Sequence, residues 1–222
     1  MLAFDIITIF PRIFDSYLNE SILKRALRNK LIKINVINLR DFSRLKHRKV
    51  DDRPYGGGPG MVLMAEPIYR AVGESLKKAR RAKIPRNKTR IILFSTRGKK
   101  LDGKKAKQLS RYKKIILICG RYEGIDERVA KYVADEEISI GDYVLSGGEL
   151  PAMALVESVS RFIPGVLGKQ ESLEEIKGSY PVYTRPEQVG LDGKIRRVPK
   201  VLVAGDHKKI EEWREKQGGK KR

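Results

Sequence analysis

Two apolar runs that break into glycines and charged side chains constrain this chain more than any other feature. They are Ile118-Cys-Gly-Arg-Tyr-Glu-Gly-Ile-Asp-Glu-Arg128 and, soon after it, Glu137-Ile-Ser-Ile-Gly-Asp-Tyr-Val-Leu-Ser-Gly-Gly-Glu-Leu-Pro151. Glycine lets main-chain groups approach a bound molecule closely, and polar neighbours fix that molecule's orientation. Either turn alone fits an ordinary connection of an α/β sheet. The two in tandem favour one composite ligand pocket.

The flanking sequence supplies the sheet that such turns need. Residues 4–9 form an apolar run, 11–30 carry apolar side chains at helical spacing, and 32–39 alternate as a strand. The spacing then predicts a helix over 65–82, a strand over 90–95, a helix over 102–112 and a strand over 113–119, which is the rhythm of a parallel sheet. Ser95-Thr-Arg-Gly98, Gly120-Arg-Tyr-Glu-Gly124 and the turn from Ile140 to Gly148 all follow apolar runs. Three loops are therefore expected to meet at the carboxyl edge of one sheet. Residues 149–162 read as an amphipathic helix with Met153, Ala154, Val156, Val159 and Phe162 facing the core, interrupted by Arg161.

Two regions look irregular. Residues 40–60 are too rich in charge, Gly and Pro for regular structure, and there Lys46, His47, Arg48, Lys49 and Arg53 beside Tyr55 suit a phosphate and a stacked base. Residues 166–186 read as a linker. Beyond them lie an apolar run over 198–204, a helix from Asp206 as N-cap to about 217, and a basic tail, Lys220-Lys221-Arg222. That is too little to fold alone, so it is expected to pack on the main domain or on another subunit.

Charge narrows the partners. The 222 residues include 48 Lys and Arg against 27 Asp and Glu, a formal charge of +21. A polyanion is the natural counterpart, nucleic acid first and an acidic membrane surface as the weaker alternative. The single cysteine, Cys119, cannot close an internal disulfide, and with only His47 and His207 beside it no metal site of soft ligands is expected. No apolar run is long enough to span a membrane and no leader pattern is visible, so the expected location is the cytoplasm.

Five blocks carry a family resemblance: Val50-Asp-Asp-Arg-Pro-Tyr-Gly-Gly-Gly-Pro-Gly-Met61, residues 119–129, residues 139–151, Ser158-Val-Ser-Arg-Phe-Ile-Pro-Gly-Val-Leu-Gly168 and Tyr183-Thr-Arg-Pro-Glu187. Together they closely resemble the bacterial tRNA (guanine-N1)-methyltransferases of the TrmD type, within the knotted SPOUT methyltransferase superfamily. The resemblance implies an α/β fold in which residues 1–165 form a trefoil-knotted, parallel-sheet methyltransferase domain. It further implies a linker over 166–186 that carries the base, and a small, mainly helical and shortened tRNA-binding C-terminal domain over 187–222. A homodimer that moves methyl from S-adenosylmethionine to N1 of guanosine 37 of tRNA, beside the anticodon, is the implied function. By position, the family's cofactor contacts fall on Ser95, Gly120, Tyr122, Glu123, Ile140, Gly141, Asp142, Tyr143, Val144 and Leu145, with Gly147 and Gly148 in the same turn. The target guanine is expected to face Arg53, Tyr55, Gly56, Gly57, Gly58, Pro59 and Gly60. Magnesium is expected to assist turnover, without a carboxylate cluster to mark its site.

Guanine N1 carries a proton, so the chemistry needs a base, and a carboxylate within hydrogen-bond reach would serve. The resemblance puts Glu171 where the family has aspartate, next to Glu174 and Glu175. Arg161 matches an arginine that would stabilise negative charge growing on the guanine oxygen. The chain departs from the family in a shorter linker, in Ser179 and Thr96, and in lacking a basic segment after the helix around Trp213. Two other functions stay open: a knotted methyltransferase acting on another RNA site, and a non-catalytic RNA-binding homologue.

Overall fold

Runs such as Leu-Ala-Phe-Asp-Ile-Ile-Thr and Lys-Ile-Ile-Leu-Ile offer no alternating polar face, so as strands they must be covered on both sides. A computed structural model, describing residues 1–168 and 179–218, shows them at the centre of a five-stranded sheet. Its strands are β1 (Leu2–Thr8), β2 (Ile32–Asn38), β5 (Thr89–Lys100), β6 (Lys114–Ile118) and β7 (Glu136–Ser139), in the order β2-β1-β6-β5-β7 and all parallel. Two short strands in the loop between, β3 (Asp51–Asp52) and β4 (Val62–Leu63), pair with each other. The chain divides into two units, Met1–Leu167 and Gly168–Arg222.

Helices cover both faces. On one face Phe4, Ile6, Ile92 and Leu117 pack with Phe14 of α1 (Phe14–Leu18), Leu23 and Ala26 of α2 (Ser21–Arg28), Leu109 of α4 (Gly103–Leu109), and Leu155 and Val159 of α6 (Glu149–Ser160). On the other, Ile7, Ile91, Ile116 and Ile118 pack with Ile68 and Val72 of α3 (Ala65–Arg81) and Val129 of α5 (Glu127–Tyr132). The period-two alternation of each strand thus feeds two separate cores.

Two expectations need correction. Residues 11–30 are not one helix: a 3-10 turn over Pro11–Ile13 leads into α1, and the chain then breaks at Asn19 and Glu20 before α2. Asn19 donates its side-chain amide to Asp15 O at 2.6 Å, and Glu20 is extended, so local hydrogen bonding ends the first helix. In α6 the buried stripe is Ala152, Leu155, Val156 and Val159, whereas Ala154 is exposed; at about 100° per residue it falls on the opposite side. The described part of the second unit is mainly helical, as expected, with helices Lys200–Val203 and His207–Gln217, and it adds a hairpin of Gln188–Leu191 with Lys194–Arg197. Asp192 and Gly193, both at positive φ, make its two-residue turn, and Asp-Gly is the sequence signal for such a turn. As expected, Asp206 caps the last helix, accepting from Lys209 N at 3.2 Å.

One polar cluster lies inside the sheet. Lys114 Nζ is 2.6 Å from Asp5 Oδ2, and Asn35 donates to Asp5 Oδ1 at 2.7 Å, joining β1, β2 and β6. Asp5 and Lys114 are both buried, so either one alone would be an uncompensated charge. Asp5→Ala should lower unfolding stability by about 3–5 kcal/mol in denaturant titrations, whereas the double variant Asp5→Leu/Lys114→Met should recover most of it. Equal losses in both variants would refute the ion pair's role.

Candidate functional site

β6, β5 and β7 are neighbours, and the bulge of β5 after Phe94 together with the loops leaving the carboxyl ends of β6 and β7 borders a cavity of about 450 Å³. That size suits a cofactor rather than an ion. Ser95, Gly120, Tyr122, Glu123, Ile140, Gly141, Tyr143, Val144, Leu145, Gly147 and Gly148 all line it. Asp142 does not: it points away to pair with Lys100, and both are exposed. Tyr122 sits at φ 61, a left-handed conformation unusual for a side chain of its size, which the turn between Arg121 and Gly124 imposes.

The cavity floor is held by a buried carboxylate that periodicity did not single out. Glu149, the first residue of α6, accepts from Thr8 Oγ1 at 2.7 Å and from Arg121 Nε at 2.9 Å. Thr8 ends β1 and also accepts from Phe10 N at 2.9 Å, and the Arg121 guanidinium stacks 4.8 Å over the Phe10 ring. The start of α6, the end of β1 and the loop after β6 are thereby locked together. Gly148 makes this possible. A Cβ there would lie 2.6 Å from Cys119 Cα and 2.9 Å from Gly120 N, so only glycine lets α6 begin against the end of β6. Its N–H donates to Gly120 O at 2.9 Å.

Acidic groups line one wall. Glu123, Glu127 and Glu137 border the cavity together with Arg97, whose Nη2 lies 2.7 Å from Glu127 Oε2 and 3.7 Å from Glu137 Oε2. The hydrogen bond from Arg97 holds the Glu127 carboxyl below its ordinary value. Neither Arg97, Glu127 nor Glu137 stands out from spacing alone, because each is an ordinary charged residue until the loops converge.

The residues expected to face a substrate lie around this cavity rather than in it. Arg53, Tyr55, Gly56, Gly57, Gly58 and Pro59 form the exposed tip of the loop between β3 and β4, with Tyr55 fully exposed. Gly60, at φ +76, lies where a Cβ would meet the Glu123 side chain at 2.5 Å, and Met61 O accepts from Glu123 N at 3.0 Å. The loop's base is thus pinned beside the cavity while its tip is free. Of its cations, Arg48 pairs with Asp41 and Lys49 with Asp52. Arg161 stands elsewhere, half-buried at the C-terminal end of α6, with no ion pair among the described residues. Since Glu149 opens that helix at the cavity, its 12 residues put Arg161 about 18 Å away. Glu171 lies outside the described residues.

Comparison with known proteins agrees with this architecture. The family described as tRNA (Guanine-1)-methyltransferase TrmD matches residues 2–222. Similar relatives are the tRNA (guanine-N(1)-)-methyltransferases of Ruminiclostridium cellulolyticum, 46% identical over 97% of this chain and 91% of that one, and of Dictyoglomus turgidum, 49% identical over 100% and 86%. A solved structure, the tRNA (m1G37) methyltransferase from Aquifex aeolicus, superposes with a TM-score of 0.77 at 42% identity, covering 96% of this chain and 87% of that one.

The packing of the floor fixes the behaviour of its thiol. Burial, helped by the Glu149 charge, pushes Cys119 well above the ordinary thiol value despite the opposing pull of Arg121. Thiolate is the reactive species, so iodoacetamide at pH 8 should leave Cys119 untouched in the native protein and alkylate it after unfolding. Stoichiometric alkylation of the folded chain, read by mass spectrometry, would contradict this packing.

Proposed function

Since the chain belongs to the tRNA (guanine-1)-methyltransferase family, we propose that its cavity holds S-adenosylmethionine and that tRNA is methylated on N1 of guanosine 37. The observation that carries this reading is the position of the cavity, at the carboxyl ends of β6 and β7 and the bulge of β5 between them, walled by both glycine turns. The lining suits the donor. Ile140, Val144 and Leu145 offer an apolar slot for a ring beside main-chain groups, and a buried oxygen of Glu137 that accepts no hydrogen bond from the described residues suits a cationic group. Bound there, S-adenosylmethionine supplies the methyl group from its sulfonium.

The protein's own work is to hold the guanine and manage its proton. Glu171 takes the N1 proton, and the Arg161 guanidinium balances the negative charge that collects on the guanine oxygen. The separation between Arg161 and the cavity along α6 supports a homodimer in which the arginine of one protomer serves the cavity of the other. Exposed Ile13, Tyr17 and Leu150, on or beside the touching helices α1 and α6, offer an apolar surface for that pairing. The loop tip at Arg53–Gly60 is placed to reach RNA over the cavity, and the formal charge of +21 supplies phosphate affinity. The close packing of Gly148 on Cys119 and Gly120 supports a threaded, trefoil arrangement around the pocket. Residues 1–165 would then form the methyltransferase domain, 166–186 the linker with the base, and 187–222 the tRNA-binding domain. Magnesium assists turnover in this reading, with no residue assigned to it. Among the described residues no helix is long and apolar enough to cross a membrane; a cytoplasmic place of action goes with the substrate.

The deciding experiment is transfer of labelled methyl from S-adenosylmethionine to a tRNA transcript with guanosine at positions 36 and 37, beside one with adenosine at 37. Only the first should be labelled. Label at another nucleotide would mean a knotted methyltransferase for a different RNA site, and binding of both RNAs without label would mean a non-catalytic RNA-binding protein. Arg161→Ala and Glu171→Ala should each slow single-turnover transfer by about a hundredfold or more, while donor affinity changes by less than about threefold. Parallel losses in rate and affinity would remove both residues from the chemistry. RNA affinity should also fall steeply between about 50 and 200 mM salt, and a flat response would rule out phosphate contacts as its source.

A further inference from the structure

In a chain with a formal charge of +21, the wall formed by Glu123, Glu127 and Glu137 is a local reversal of sign. It repels phosphate, so RNA affinity does not account for it. Of the cations at the cavity, Arg121 is committed to the buried Glu149. Arg97 alone among the lining cations reaches the acidic wall, donating to Glu127 at 2.7 Å and standing 3.7 Å from Glu137. Glu137 Oε2 has no solvent contact, and no hydrogen bond reaches it among the described residues. A buried carboxylate oxygen compensated only at 3.7 Å is a place prepared for a better cation.

We propose that Arg97 is the resident counter-ion of this wall, that the donor's sulfonium displaces it, and that Glu127 and Glu137 thereby favour the charged donor over its uncharged-sulfur product. The inference rests on the pocket's taking S-adenosylmethionine. That molecule carries a sulfonium, an ammonium and a carboxylate. When the methyl group leaves, the sulfur keeps the bonding pair and becomes a neutral thioether. Donor and product then differ by one methyl and one positive charge, and an acidic wall acts on the charge.

Arg97 is well suited to yield its place. Its side chain is 65% exposed and that of Glu127 is 50% exposed, so the pair is held weakly in water. Its backbone belongs to a bulge of β5, on either side of which the strand pairs separately with β7, at Phe94 and at Lys99. Both ends of the bulge are anchored, and the guanidinium can swing out without moving the strands. Once Arg97 has left, the carboxylates face the donor; after transfer it returns to a wall that the product no longer neutralises.

Calorimetric titration of the full chain with S-adenosylmethionine and with S-adenosylhomocysteine tests the idea. Arg97→Gln removes the competitor, so donor affinity should rise roughly twofold to fivefold, with a smaller change for the product. Glu137→Gln should weaken the donor on the order of tenfold and the product by less than about threefold. Glu127→Gln, at an exposed position, should move the ratio of the two affinities in the same direction. Unchanged or weaker donor binding by Arg97→Gln overturns the proposal, because the arginine would then be a bystander or a ligand of the donor's carboxylate. Equal losses of donor and product in both glutamate variants overturn it as well. If the unsubstituted protein binds neither compound, the donor reading itself falls.

Discussion

A carboxylate with 1% of its surface exposed holds the cavity in shape. Glu149 has no reason to be buried on its own account, since an isolated charge in an apolar interior is strongly unfavourable. It is tolerated because Thr8 and Arg121 donate to both of its oxygens and because it sits in the first turn of α6, where the helix dipole favours negative charge. Each of these partners is fixed in turn. Thr8 terminates β1, and Arg121 lies over Phe10 in the loop that follows that strand. One buried charge therefore positions three chain segments, and the glycine-rich loops inherit their geometry from it.

Charge is zoned in this molecule. The outer surface is basic, as a partner of phosphates would be, whereas the inner wall of the cavity is acidic, as a partner of a cation would be. Opposite signs at short range would keep a polyanion outside apart from a cation inside. Arg97 stands at the boundary between the zones, exposed yet paired with the acidic wall.

Much of this was legible before any coordinates. The apolar runs of β1, β5 and β6 announced a sheet covered on both faces, and the glycines after Ile118 and Ser139 announced where its loops would turn. What escaped did so for physical reasons. α5, of six residues, is too short for a period to show. Glu149, Arg121 and Arg97 gain meaning only from partners distant in sequence; Thr8 and Glu149 are 141 positions apart. The break at Asn19 was hidden because apolar spacing continues through it, while the side chain that ends the helix acts locally. The Asp192-Gly193 hairpin carried a readable signal that the basic, polar composition around it masked.

The double registry of β5 carries a consequence for change over time. Its 12 residues pair with β7 both before and after the bulge at 95–98, so the bulge is tied at each end to the same short strand. Gly98 fixes it more closely still: a Cβ there would lie 2.5 Å from Ile138 N, so only glycine lets the returning strand lie against β7. Thr96 and Arg97, by contrast, are exposed. Change in this stretch is thus open to the outward side chains and barred at the glycine that rests on its neighbour.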